Sequence, residues 1–217
     1  MSPAAQARKP GRPSKTADDP DRRTRILEIA VSQFGRSGIA GTSLSAIARE
    51  ARVTPALMHY YFGNRESLID AIVAEKMQPA MAGVVEAMKN AGNDLRSQVH
   101  CFVRTMIETI ASRPWLPPLW TREVLSEGGM LRERLVGRFG APLGQKMRDR
   151  FADAQSGGQL NHDLDPNLLF VTLIALTLFP LASQPIWRHH LGADDVTADT
   201  IANHALALLE RGLEMPT

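Results

Sequence analysis

Apolar residues recur along this chain at the three- and four-residue spacing of helices. Leu27, Ala30, Val31 and Phe34 form one such face in a segment that begins near Asp21, and Gly38 predicts its end. Thr42 and Ser43 then offer an N-cap for a short helix carrying Leu44, Ile47, Ala48 and Ala51 inward. Arg52 and Val53 break the pattern. Thr54 is a second N-cap, and Pro55 sits at the first helical position, where its missing N–H costs nothing. This third helix spans 55–62 and stops at Gly63. A fourth begins near Asn64 with Leu68, Ile69, Ile72 and Val73 inward, and Pro79 is expected to kink or interrupt it.

After Asp94 the pattern strengthens. Val99, Phe102, Val103, Met106, Ile107 and Ile110 form a stripe over three turns, and Pro114, Pro117 and Pro118 then bracket Trp115 and set off Trp120. Further helices are predicted at about 118–127, 130–156, 167–179 and 196–213. Asp165-Pro166 opens the third of these and Pro180 stops it, while Ile201, Ala205, Leu208 and Leu209 share one side of the last. No stretch alternates with period two for long enough to be a strand. The expected fold is all-α: an N-terminal three-helix helix-turn-helix domain, then a larger helical C-terminal domain. The expected divisions are a disordered basic arm at 1–20, the helix-turn-helix domain at 21–66 and the second domain at 67–217.

Composition narrows the picture. At 217 residues with 44% hydrophobic content, the chain can build a real core. Its single cysteine, Cys101, excludes an internal disulfide framework and a multi-cysteine zinc site, which suits a reducing cytoplasm. The Pro- and Arg-bearing start has no apolar stretch, so no secretory leader and no membrane association are expected. The run 168–179 is shorter than the roughly 20 residues that span a bilayer. Being apolar all round, it must still be buried. A homodimer interface built from 167–178 and 196–213, with Leu173 and Leu208 in it, would bury it.

The net charge of +2 hides an asymmetry. Residues 1–65 hold eleven Lys/Arg against five Asp/Glu, whereas the remainder holds fourteen against eighteen. A basic first third on a mildly acidic remainder points to a polyanion at one end. Two short helices separated by three residues, the second opening Thr-Pro, form a helix-turn-helix pattern, which holds a short helix rigidly enough to enter a major groove about 12 Å wide. Ile47, Ala48, Val53, Met58 and Phe62 are the inward positions. Ala56, Leu57, His59, Tyr60 and Tyr61, followed by Arg65, are the outward ones. Tyrosine hydroxyls, an imidazole N–H and a guanidinium can all bond phosphate oxygens.

The stretch TRILEIAVSQFGRSGIAGTSLSAIAREARVTPALMHYYFGNRESLIDAIV resembles the N-terminal domain of TetR/AcrR transcriptional regulators. The matching pieces are Ile26-Leu27, Ala30 and Phe34, the run from Gly38 to Ser43, Ile47-Ala48, Val53-Thr54, Tyr61-Phe62, and Asn64-Arg65 with Leu68. The resemblance implies DNA contacts from Thr42, Ser43, Ser45, Thr54, Pro55, Ala56, Leu57, His59, Tyr60, Tyr61 and Arg65. It also implies double-stranded operator DNA as partner, a helical C-terminal domain that dimerises and a small-molecule effector. Two departures stand out. The family usually has Gly where this chain has Arg52, which would be strained at positive φ or would serve as a phosphate clamp. The first outward aromatic, usually Tyr, is His59.

Other candidates are weaker. Gly11-Arg12-Pro13 resembles an AT-hook core that lays Arg12 in an A·T-rich minor groove, and Arg8, Lys9 and Lys15 flank it; a solvated tail is the alternative. Phe102, Met106, Trp115, Trp120, Phe139, Phe170, Leu173 and Thr177 are candidates for an apolar ligand pocket, against the simpler reading that they are core. His100-Cys101 lacks an orienting acid in its sequence neighbourhood and reads as structural. His189-His190 read as a surface pair, and 161–165 reads as a helix-entry loop with no cation. No metal or cofactor is expected. The function this supports is a sequence-specific repressor released from its operator by a small apolar or amphipathic ligand. The alternatives are an activator or ligand-dependent co-repressor of the same fold, a sequence-neutral DNA-coating protein and, without a triad, phosphate loop or metal set, an all-helical enzyme.

Overall fold

The short N-terminal helices are delimited by the caps that their sequence offers. In a computed structural model that describes residues 20–137 and 141–213, the first four helices are α1 (Pro20–Ser37), α2 (Leu44–Ala51), α3 (Pro55–Phe62) and α4 (Arg65–Ile72). Ser43, Thr54 and Asn64 each accept the backbone N–H of the third residue of the helix that follows, that of Ala46, Leu57 and Ser67 respectively. Each bond satisfies one of the donors that a helix N-terminus leaves orphaned. Between α2 and α3, Arg52 takes the left-handed conformation, φ 56° and ψ 43°. A side chain there costs roughly 1–2 kcal/mol relative to an unstrained residue.

The rest of the chain is helical throughout, with no strand among the described residues. It comprises α5 (Gln78–Asn90), α6 (Leu95–Ala111), α7 (Leu116–Trp120), α8 (Arg132–Leu135), α9 (Ala141–Ser156), α10 (Pro166–Ala182), α11 (Gln184–Leu191) and α12 (Ala198–Leu213). Two π-helical turns, Val73–Met77 and Thr121–Leu125, join α4 to α5 and extend α7. The first absorbs the interruption expected at Pro79, because the extra residue is taken up just before the proline, which then sits in the first turn of α5 where it breaks no bond.

The boundaries of the second region depart from the sequence reading in four places. The helix expected at 118–127 starts at Leu116 and turns π-helical after Trp120. The helix expected at 130–156 is described as α8 and α9, and residues 138–140 fall outside the described set. The helix at 167–179 does not stop at Pro180: α10 runs to Ala182 with Pro180 inside it. The buried face of Leu169, Leu173, Thr177, Leu178 and Leu181 carries the helix past the missing donor. Trp187 on α11 donates its indole N–H to the Pro180 carbonyl at 2.7 Å, and α11 itself was not anticipated. The basic arm at 1–19 lies outside the described residues.

One contiguous core runs through the molecule. α1 packs on α2, α4 and α7, and α6 lies at the centre of the second region, against α5, α10 and α12. The approach of α1 to α7 is close: a Cβ at Gly35 would meet the Trp115 carbonyl at 3.1 Å. No single described helix is long and apolar enough to cross a membrane; α10 and α11 together are, but they meet at a 67° bend.

α10 nevertheless leaves part of its apolar surface uncovered. Leu168, Val171 and Phe179 are about 60–70% exposed, and Leu208 on α12 is half exposed. Leu173, expected at a subunit interface, is instead 1% exposed inside the subunit's own core. The helix buries its Leu169–Leu173–Thr177 face inward and leaves the opposite one out.

Candidate nucleic-acid interface

α2 and α3 pack as the two arms of a helix-turn-helix. Ile47, Ala48 and Ala51 on α2 and Met58 and Phe62 on α3 are buried, and Val53 is half-buried between them. The opposite side of α3 is open: Thr54, Pro55, Ala56, His59 and Tyr60 are all exposed, Tyr60 at 61%. Leu57 and Tyr61 are half-buried on the flanks, the Tyr61 ring lying against both Tyr60 and Phe62 at centroid distances of 5.4 and 6.2 Å. Ser43 and Ser45 are exposed at the start of α2. This exposed ridge, one turn from a buried aromatic, has the shape and polarity to lie in a groove.

Hydrogen bonding refines the roles assumed from sequence. The His59 ring holds its Nδ1 against the Gly63 carbonyl, so that nitrogen carries the proton and donates. In the neutral ring the outward Nε2 is then an acceptor, suited to an amino group on a base edge rather than to phosphate. Ser43 and Thr54 use their hydroxyl lone pairs as caps, and each keeps its O–H proton for an outside partner.

Two residues expected at the DNA surface are turned to other work. Thr42 is 4% exposed and donates its hydroxyl to the Gly38 carbonyl at 2.8 Å. Arg65 is half-buried, and its Nη2 donates to the Ile39 carbonyl at 2.6 Å and to the Thr42 carbonyl. The loop between α1 and α2 turns its carbonyls towards the first residue of α4, so the guanidinium closes that loop instead of projecting outward. Arg12 lies outside the described residues, as do Arg8, Lys9 and Lys15.

The same loop is held from the other side by a residue that the sequence reading did not single out. Glu123, in the π turn after α7, is 6% exposed and accepts the Ile39 N–H at 2.7 Å and the Met130 N–H at 3.2 Å. The following loop folds tightly over it, and a Cβ at Gly129 would sit 2.3 Å from the Glu123 carbonyl oxygen. On the flank, Arg134 of α8 pairs with Glu66 at 2.5 Å and Asp70 at 3.1 Å, both on α4. The helix-turn-helix is thus pinned to the second region by a buried carboxylate and an exposed ion-pair cluster. Within it, Glu50 of α2 accepts from Gln33 at 2.6 Å and from Arg36 at 3.0 Å on α1, and these bonds, the Gln33 amide foremost, hold its carboxyl below the ordinary value.

The candidate ligand residues are packed together as core. Phe102 of α6 and Phe170 of α10 meet at 6.1 Å between ring centroids, and Met106, Leu173 and Thr177 are buried in the same cluster. Trp115 and Trp120 are half-buried against it. The Thr177 hydroxyl is spent on the Leu173 carbonyl at 2.9 Å. Phe139 lies outside the described residues. A cleft of about 310 Å³ opens elsewhere in this region, between the N-terminus of α6, residues 159–160 and the C-terminus of α12. There His100 does have an acid: its Nε2 lies 2.8 Å from Glu210, which Arg96 also contacts at 2.9 Å. Cys101 faces Thr105, 3.8 Å from its hydroxyl. In 161–165, Asp165 caps α10 and Gln155 ties down the Asn161 and Leu164 carbonyls, as a helix-entry loop requires. His189 and His190 set their rings edge to face.

Comparison with known proteins agrees with this geometry. Residues 26–72 match the family described as bacterial regulatory proteins, tetR family. The HTH-type transcriptional regulator BetI of Rhizobium meliloti (strain 1021) is 31% identical over 106 residues, a match that covers 49% of this chain and only about half, 52%, of BetI. The HTH-type transcriptional repressor KstR2 of Rhodococcus jostii (strain RHA1) is 22% identical over 93% of this chain and 95% of its own. Among solved structures, the ketosteroid transcriptional regulator KstR2 of Mycobacterium tuberculosis superposes with a TM-score of 0.73 at 17% identity, covering 88% of this chain and 94% of that one, and so shares the fold. The chain thus carries the tetR-family helix-turn-helix over residues 26–72, on a helical frame that shares the fold of solved TetR-family regulators.

Proposed function

We propose that the protein is a homodimeric repressor in the cytoplasm, released from its operator by a small apolar or amphipathic effector. The observation that carries this reading is α10, which is apolar on all sides but covered on only one. Leu168, Val171 and Phe179, with Leu208 of α12, make a surface that a second copy would bury. Two-fold pairing would present two copies of α3 to half-sites about 34–36 Å apart. Ser43, Ser45, Thr54, Pro55, Ala56, Leu57, His59, Tyr60 and Tyr61 are the contacts proposed on each, with Arg12 of the arm in the adjacent minor groove.

The effector class follows from what lines the second region. Phe102, Met106, Trp115, Trp120, Phe170 and Leu173 offer apolar surface and few polar anchors. These side chains are closed on one another, so the effector would be admitted by parting α6 from α10. Because Glu123 and Gly35 tie α7 to α1, a shift there would be felt at the helix-turn-helix. The effector needs only to prefer the conformer that no longer fits two successive grooves.

The test uses a 30-bp duplex enriched from a random pool by the protein itself. Sedimentation of the wild type should show a dimer, alone and on that duplex, and Phe179→Asp should give a monomer. A wild-type monomer, or an unaffected dimer in both Phe179→Asp and Leu208→Asp, removes the interface. A C16 fatty acid and a sterol, titrated separately, should lower operator affinity if the effector class is right. Unchanged affinity with both, together with no thermal shift, removes it.

A further inference from the structure

The turn between α2 and α3 holds a side chain that the recognition ridge does not use. Arg52 is the one non-glycine residue at positive φ among those described. Its backbone N–H caps α2 on the Ala48 and Arg49 carbonyls, work that needs no side chain. Glycine would do the same without strain. The side chain is exposed, and it lines a cleft of about 490 Å³ together with Arg22 and Arg25 from the start of α1 and Thr54 and Leu57 from the start of α3. Ala51 and Val53 complete the lining, and Asp21 is the one carboxylate in it.

Arg25 and Arg52 differ from two neighbouring arginines whose charges are used within the protein. Arg23 is paired with Glu75 and Arg36 with Glu50. Arg25 and Arg52 make no side-chain hydrogen bond or ion pair with the described residues. Two elements distant in sequence therefore bring three guanidinium groups to one open cleft at the N-terminal, positive end of α3.

We propose that this cleft is a phosphate seat on the DNA backbone, with Arg52 and Arg25 gripping a phosphate of the strand that borders the groove entered by α3. The proposal rests on the DNA-binding reading and adds a site to it. A guanidinium presents a planar fork of donors that matches phosphate oxygens two at a time. Such a contact carries no sequence information but sets the depth and angle of the recognition helix. It also gives the left-handed arginine its use: a strained backbone is retained where the side chain it places is needed.

Arg52→Gly is the decisive variant, because stability and binding should move in opposite directions. Its melting temperature should rise. Its affinity for both the enriched duplex and a scrambled one should fall. The slope of log affinity against log salt should lose about 0.9 per phosphate contact removed, so each contact changes the deficit roughly threefold between 50 and 200 mM salt. Arg52→Asn, which tolerates the same φ without the charge, should show the same loss of slope, and Arg52→Lys should recover part of it. Arg25→Ala should flatten the slope as well, and Arg148→Ala, on α9, should not. Unchanged slopes in Arg52→Gly and Arg52→Asn overturn the seat, as does lost affinity in Arg52→Gly alone, which would trace to turn geometry. A wild type that binds neither duplex at any salt overturns the DNA-binding reading itself, a failure visible before any variant is made.

Discussion

The helix-turn-helix and the helices that follow it solve the same packing problem by different means. In α1–α4 each boundary is local: Ser43, Thr54 and Asn64 cap the helix they precede, and Ile47, Met58, Phe62 and Leu68 face inward at the spacing the sequence prints. In α5–α12 some boundaries are local, as where Asp94 and Asp165 cap α6 and α10, but others are settled by neighbours. α10 passes through Pro180, α7 gives way to a π turn, and the exposed side of α10 is left unfinished by the single chain. A rigid reading head asks for local determination. On the proposed function, a region that responds to an effector and a second subunit would leave its geometry to be completed by them. Glu123 joins the two at the loop between α1 and α2, which Arg65 of α4 closes from the other side.

The contrast can be broken most severely inside the reading head. Phe62→Ala removes a ring that is 4% exposed and lies under the Arg23 guanidinium, 5.1 Å from its centroid. Truncating a buried aromatic costs about 3–5 kcal/mol. Chemical denaturation should show that loss, with DNA binding falling only as the fold fails.

Glu123→Ala tests whether the two regions are coupled through their shared loop. It strands the Ile39 and Met130 N–H groups, at about 1–3 kcal/mol for each buried donor left unpaired. The melting temperature should fall, and amide exchange at Ile39 should speed up more than at Met58. Equal acceleration at both would mean that the loop is not a separate joint.

Tyr60→Ala should do the opposite of Phe62→Ala. Tyr60 is exposed, so the melting temperature should hold while operator affinity drops by about 1–3 kcal/mol if the ring or hydroxyl touches a base. An unfolded Tyr60→Ala protein would put the inward phase of α3 one residue out.

The smallest effect concerns acid. The Glu50 carboxyl is held below its ordinary value, by the Gln33 amide first and then by Arg36. A lowered folded value means that its stabilisation is fully present above the unfolded value and is lost as pH falls through the folded one. Melting temperature against pH should therefore decline less steeply in Glu50→Gln across the acidic carboxylate range than in the wild type. Parallel curves would show that the α1–α2 bridge is too exposed to count.

Sequence by itself determined the all-helical fold, the helix-turn-helix at Leu44–Phe62 and the inward phase of α3, because caps, glycine stops and 3.6-residue periodicity act over a few residues and need no partner. What it could not determine was the direction of a long polar side chain. Arg65 read as a DNA contact, yet the carbonyls of residues 39 and 42, more than twenty residues earlier, take its donors. Thr42 read as a groove contact and is buried as a turn-closing hydroxyl. His100 read as lacking an acid, and Glu210 supplies one from the last helix. Leu173 read as interface and is core. Arg52 is far in the chain from Arg22 and Arg25, and only the packing of α1 on α2 brings them to one cleft. Local periodicity sets which face of a helix is buried; only the tertiary fold decides what that face, and the charges beside it, come to meet.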